Sequence, residues 1–289
     1  MAFLRRFYNG QTDYVEYWVW FCEDTGHTSL RNARLFVERK RLGVIGGLGP
    51  LATAYFFELV IRMTEAQTDQ EHVELMILNC PSVPDRTSYI LGKSEESPLP
   101  AMLKMGRQLQ RIGAEYIAIP CITAHYFHRE LTEAISVPII HIVRETAEHL
   151  ARYGVGSAGL MATDGTVCSG LFQEELKERG IACVLPDREN QQFVMELIYQ
   201  DIKAGRPVSM SKFEHVSSYL REKGAECIIL GCTELSLIKR DYFLGAGYLD
   251  AMEILARQAV LVSGARLKGE YECLITKKQE EQAGEEGAG

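Results

Sequence analysis

One phrase occurs twice in this chain. RIGAEYIAIPC ends at Cys121 and EKGAECIILGC ends at Cys232. Each reads as the last turn of a helix, a glycine stop, a short apolar strand and then a cysteine. A strand preceded by a helix at this spacing belongs to a parallel sheet wound with helices. A chain that does this twice is constrained to two similar α/β halves. The expected architecture is two parallel sheets flanked by helices, related by a pseudo-two-fold axis, with a cleft between them.

The flanking segments fit that plan. In the first half LGVIGG, VELMILNC, EYIAIP and VPIIHI read as strands. Helices are expected over about 50–67, 101–112 and 143–153, with TAHYFHRELTEAI as another. CPSVPDRTSYILGKSEESPLP reads as a loop. In the second half SAGLMAT, IACVLP and AECIIL read as strands and ATDGTVCSG as a loop. LFQEELKERG is a helix, as are about 191–203, 212–224 and 248–263. The resulting division has an N-terminal extension over 1–41, a first α/β domain over 42–145 plus 246–268, and a second over 146–245. A disordered tail over 269–289 completes it. The extension holds both tryptophans, and its stretch YVEYWVWF (14–21) is expected to form a strand or hairpin arm.

Composition narrows the function. The net charge is -8 and the pI about 5.5, so nucleic acid and anionic membrane are disfavoured as partners. No apolar run is long enough to span a bilayer. The eight cysteines show no CxxC pair and no zinc-type spacing, and no metal is expected. They read as reduced thiols of a cytoplasmic protein. Cys183 and Cys227 are expected in the core. Cys80 and Cys168 remain candidate pocket-wall residues.

Ligands of parallel sheets bind at the carboxyl ends of strands, where Cys121 and Cys232 stand. A thiol at the start of a helix is favoured as a thiolate. Two such thiols across a cleft could take a proton from one face of a carbon and return one to the other. A cysteine at a strand end is also commonly a core residue, and both readings stand at this point.

GVIGGLGPLAT, NCPSVPDRT, AIPCITAH, ATDGTV and LGCTEL, in that order, resemble the aspartate/glutamate racemase family, most closely its aspartate racemase branch. The resemblance covers about 42–266. It implies cofactor-independent racemisation of an acidic amino acid, aspartate before glutamate, by a homodimer. Cys121 and Cys232 would be the two acid/base groups. Arg86 would pair with the substrate's side-chain carboxylate, with Lys203 as a second cation. Thr123, Thr166 and Thr233 would donate hydrogen bonds to its carboxylates. Gly46, Gly47 and Gly49 would shape a loop that brings backbone amides to the ligand. Glu234 would tune Cys232 or lie at a solvated helix start. His125 would orient the Cys121 segment or sit in the core.

One position departs from the family. Its Cys-Asn-Thr motif reads here as Cys121-Ile122-Thr123. Losing a hydrogen bond to a charged group costs roughly 1.5–3 kcal/mol, about 10- to 150-fold in binding or rate. Ile122 therefore leaves open a weakened racemase, a shifted substrate or a carboxylate-binding protein without turnover, and the two cysteines leave open a separate reading, a dicarboxylate isomerase or decarboxylase of the same superfamily.

Overall fold

The computed structural model describes residues 39–277, together with the backbone of two short strands, β1 (Phe3–Leu4) and β2 (Trp18–Val19). Those two strands pair antiparallel, Phe3 opposite Val19 and Leu4 opposite Trp18, within a separate unit, Met1–Val37. The remainder of the expected 14–21 arm, and residues 278–289 of the expected tail, lie outside the described residues.

The main unit is built on two sheets. The first has the order β4-β3-β5, from β3 (Leu42–Gly46), β4 (Leu75–Asn79) and β5 (Tyr116–Ala118). The second has the order β7-β6-β8-β9, from β6 (Ser157–Met161), β7 (Ala182–Val184), β8 (Cys227–Leu230) and β9 (Tyr248–Asp250). All of their pairings are parallel. β3 and β8 are buried throughout, as uninterrupted apolar runs in a sheet covered on both faces should be.

The duplication read from the two phrases is visible in the packing. In each sheet the first strand of the half lies between the second and third. A Cβ on Gly43 of β3 would meet the side chains of Leu109 and Ala114. A Cβ on Gly159 of β6 would meet those of Leu220 and Ala225. Both glycines let the returning helix end press onto the central strand. Those helices are α3 (Leu99–Arg111) and α9 (Met210–Glu222).

A shared core joins the halves. Helix α1 (Pro50–Met63) packs against α11 (Ala251–Val262), α11 against α5 (Ile142–Arg152), and α5 against α7 (Leu171–Glu178). One apolar cluster runs from Val44 and Phe56 through Ile142 and Leu150 to Leu160, Ile229 and Leu255.

Several segments differ from expectation. VPIIHI gives only a bridge between Ile117 and Ile139, because Pro138 has no N–H to continue a ladder. The helix expected from Tyr248 begins at Ala251. Tyr248–Asp250 is β9, paired with β8, and Asp250 accepts from the Met252 N–H. The segment 246–268 is thus divided, its strand on the second sheet and its helix against α1 and α5. ATDGTVCSG contains α6 (Asp164–Ser169), capped by Thr163 and stopped by Gly170 at φ 73°. The proline-rich loop contains α2 (Arg86–Ile90), where Asp85 accepts from the Ser88 N–H at 2.7 Å. Residues 269–277 of the expected tail are packed. Leu274 is buried, and Thr276 exchanges backbone hydrogen bonds with Gly247 and Tyr248.

The turn after β3 carries a sharp constraint. Gly47 has φ 88°, and a Cβ there would lie 2.4 Å from the backbone nitrogen of Cys80. Left-handed strain and overpacking together make Gly47→Ala cost about 3 kcal/mol, to be read as a lower urea midpoint with an unchanged slope.

Candidate active site

Cys121 and Cys232 line the same pocket, and both are buried. Cys121 follows β5 in a tight turn, its N–H bonded to the Ile119 carbonyl at 2.7 Å, and leads into the 3₁₀ segment Thr123–Phe127. This 3₁₀ turn, followed by α4 (His128–Ala134), replaces the single helix expected over TAHYFHRELTEAI. Cys232 follows β8 and precedes α10 (Leu235–Asp241). The Gly231 N–H bonds to the Met161 carbonyl at 2.7 Å, carrying the chain over the end of β6.

The other walls come from both halves. Leu48, Asp85, Arg86 and Thr87 enter from the loops after β3 and β4; Ile122 and Thr123 follow Cys121. Thr163 precedes α6, Tyr199 and Lys203 come from the end of the long second-half helix, and Thr233 and Glu234 follow Cys232. That long helix is not uniform. α8 (Arg188–Glu196) gives way to a π-helical stretch, Leu197–Ile202. Such a widened turn re-aims side chains, and it is frequent where a helix supplies a functional site.

Arg86 is buried, and its guanidinium donates to three backbone carbonyls: Leu48 at 2.6 Å, Pro84 at 3.0 Å and Val83 at 3.3 Å. It faces Cys121. Burial works against its charge, but Cys121 and Asp85 outweigh that and raise its pKa. Its Nε is buried with no partner among the described residues. A buried donor without an acceptor costs about 1–3 kcal/mol, more for a charged group, and a ligand carboxylate would remove that cost.

Cys232 has different neighbours. Its thiol donates to Glu234 Oε2 at 2.9 Å, while Lys203 Nζ donates to Glu234 Oε1 at 2.6 Å. Burial and the Glu234 carboxylate push the Cys232 thiol well above its ordinary value of about 9, against the opposing pull of Lys203. Burial also disfavours charge on Lys203, but Glu234 and the two thiols overcome it and raise its pKa. Glu234 is therefore a buried carboxylate joining cation and thiol, the tuning arrangement of the two readings left open for it. Lys203 reaches the pocket with its charge already answered by Glu234.

Contacts across the halves close the pocket. The Thr123, Thr163 and Thr166 hydroxyls form a triangle with edges of 2.9 to 3.1 Å. Tyr199 donates to Asp85 at 3.1 Å. Burial raises Asp85, but the Ser88 hydrogen bonds, Arg86 and Tyr199 lower it further, so it stays ionised. Thr163 and Thr123 line the pocket; Thr166 stands behind them. Gly47 and Gly49 line the adjoining cleft, and Gly46 supports the turn from below.

His125 does not line the pocket. It is buried beneath Cys121, with Nδ1 3.0 Å from the Cys121 carbonyl and Nε2 accepting from the Ile142 N–H at 3.4 Å. Burial and the neighbouring His141 and His128 bring its pKa to about 3. It is a neutral strut between the Cys121 turn and α5. Cys80 and Cys168 line neither the pocket nor the cleft. Burial pushes Cys183 to about 11 and Cys227 to about 12, as for thiols serving as core. Asp85, Thr87, Thr163 and Tyr199 were not singled out in the sequence. Asp85 and Thr87 flank Arg86 in the PDRT motif, whereas Tyr199 reaches the site only through the π-helical turn.

Residues 45–259 match the model of the Asp/Glu/Hydantoin racemase family. The chain belongs to that family. An aspartate racemase from Picrophilus torridus is 32% identical, with a TM-score of 0.73 over 81% of this chain and 99% of that one. The broad specificity amino-acid racemase RacX of Bacillus subtilis is 27% identical over 228 residues, 76% of this chain and 96% of its own. An aspartate racemase homologue from Pyrococcus horikoshii shares the fold, at 24% identity and a TM-score of 0.63 over 78% of this chain and 99% of that one. The α/β architecture and the racemase resemblance read from the five motifs hold, and amino-acid racemisation without pyridoxal phosphate fits this family. Among the described residues no helix is long and apolar enough to cross a membrane.

The Cys232 environment is testable by titration. The thiolate absorbance that Cys232→Ser removes should develop only well above pH 9. Glu234→Gln, which removes the neighbouring negative charge, should move that step to lower pH. A Cys232 step near pH 8 in the unsubstituted chain would contradict the arrangement.

Proposed function

We propose that this racemase interconverts the L- and D-forms of an α-amino acid, acidic ones included, by two-thiol proton transfer. The observation that carries the reading is the unequal pair of thiols on one pocket. Cys121 faces a guanidinium, and the Cys232 thiol donates a hydrogen bond to a carboxylate.

In one direction Cys121, as thiolate beside Arg86, takes the α-hydrogen as a proton, and the C–H electron pair stays on the substrate as a carbanion delocalised into its carboxyl group. Cys232 delivers its proton to the opposite face. The new C–H bond forms as the S–H bond breaks, and the negative charge ends on Cys232 beside Lys203. The reverse direction exchanges the roles. Arg86 Nε, with the Thr123, Thr163 and Thr233 hydroxyls, supplies donors for the carboxylate where charge develops. No cofactor is required to balance these steps. Aspartate is the proposed acidic substrate before glutamate, since the similar Picrophilus protein is named an aspartate racemase. A homodimer remains the proposed assembly.

Ile122 does not turn this chain into a mere binder in our reading, because the donors it lacks are present in Arg86 and the threonines. Incubation of L-aspartate in D2O with the enzyme should exchange the α-hydrogen and produce the D-form. Cys121→Ala and Cys232→Ala should each slow that exchange by about 10²- to 10⁴-fold or more. Aspartate that stabilises the fold but never exchanges would sink the proposal in favour of a binding protein.

A further inference from the structure

A second pocket, of about 160 Å³, lies between α5 and α11 and shares no residue with the thiol pocket or its cleft. It is smaller than a site for a drug-sized ligand, which runs from about 300 to 1,000 Å³. Glu145, Glu148, His149 and Arg152 line it from one face of α5, at i, i+3, i+4 and i+7. Arg257 and Gln258 line it from α11.

Its polar groups are incompletely answered. Arg152 and Arg257 have neither an ion pair nor a hydrogen bond among the described residues. Arg257 is half-buried, and its Nε is buried without a partner. Gln258 Oε1 is buried without a partner as well. The pocket thus holds one orphaned donor and one orphaned acceptor, where buried polar groups are ordinarily paired.

The charges are also segregated by sign. Burial and the neighbouring Arg152 hold the Arg257 pKa below its ordinary value. Burial and Glu148 raise that of Glu145, against the hydrogen bond from Gln258 Nε2. His149 Nε2 accepts from the Leu274 N–H at 3.1 Å, and burial with Arg257 and Arg152 brings its pKa to about 4, so it adds no charge at neutral pH. Around the rim, Glu148 is held by Arg179 at 3.0 Å and Arg144 by Glu175 at 3.3 Å, while Glu272 bears on Arg257 without an ion pair.

We infer that this pocket binds a small zwitterionic α-amino acid, with its carboxylate on Arg152 and Arg257 and its ammonium on Glu145 and Gln258. Guanidinium forks suit a carboxylate, and an ammonium is a donor for the orphaned amide oxygen. Such a ligand separates like charges at both ends and adds no net charge. A simple anion would meet Glu145 and Glu148, and a simple cation would meet the two arginines. None of these residues takes part in the proposed racemisation.

The test is isothermal titration of the intact enzyme with glycine, acetate and methylamine. Acetate is glycine without its ammonium, and methylamine is glycine without its carboxylate. Glycine should bind saturably, and the other two should each bind about tenfold more weakly or less. Arg152 is exposed and unpartnered, so Arg152→Met should leave circular dichroism and aspartate α-hydrogen exchange unchanged. It should nevertheless weaken this glycine binding by about tenfold or more. Arg257→Met should weaken it at least as much; should that variant fail to fold, Arg152→Met decides alone. Glycine binding that the arginine variants do not move would place glycine elsewhere and overturn the assignment. Acetate as tight as glycine would make this a plain anion site, and the lack of any saturable glycine binding would leave it without an amino acid. Either result would overturn the inference without touching the racemase reading.

Discussion

Lys203, Glu234 and Cys232 form a chain of contacts, cation to carboxylate to thiol, inside the closed pocket. Taking any one of these groups out of water alone would be costly. Lys203 keeps its charge because Glu234 faces it, and Glu234 stays in place because it accepts from both neighbours. Cys232 keeps its proton because a negative oxygen receives it. The pocket on the other side lacks this arrangement. Cys121 faces Arg86, whose charge is held by three carbonyls and by Asp85. The two halves repeat the same backbone, but their side chains give the two thiols opposite electrostatic neighbours. A symmetric scaffold with asymmetric charge is what directional proton transfer between two like groups requires, since one must start with the proton and the other without it.

The proposed proton transfer depends on two strand ends staying at a fixed separation. The shared core of α1, α5, α7 and α11 fixes the halves at a distance from the site. Near the site the threonine triangle and the Tyr199–Asp85 contact fix them again. Hydroxyl contacts of this kind are individually worth about 1 kcal/mol.

The parts of this structure legible in the sequence are those that local pattern determines. β3 and β8 are continuous apolar runs, and α3 and α9 end in glycines that no other residue would replace cheaply. The duplicated phrase placed both cysteines at strand ends because a strand, a stop and a turn are all short-range features. Arg86 was legible through the motif around it. The misread segments are those in which a distant partner decides. Tyr248–Asp250 has helix-compatible letters, but it lies against β8 and is drawn into the sheet. VPIIHI has strand letters, but Pro138 limits it to one bridge. Tyr199 was not legible because its direction depends on a π-helical turn, and nothing in LIYQDI announces a hydrogen bond one residue longer than usual. The Lys203–Glu234 contact joins residues 31 apart, and local spacing carries no information on it.

Ile122 is a departure from the family's motif whose surroundings the letters beside it do not give. Beside Cys121 it is a missing donor. In three dimensions it is buried with Val44, Ile140 and Ile142 in the core that joins the halves, and it also lines the thiol pocket. Isoleucine there is stiff at its β-carbon, and it shares its core cluster with Ile140 and with Ile142, the first residue of α5. An asparagine at that place would lose apolar packing in that core and bring a polar amide to a position that also borders the pocket. The two effects are each of order 1–3 kcal/mol and act on different properties, one on core packing and one on ligand contact. In the proposed reading the work of holding a carboxylate falls on Arg86 and the threonines. Ile122 need not remove that function from the site.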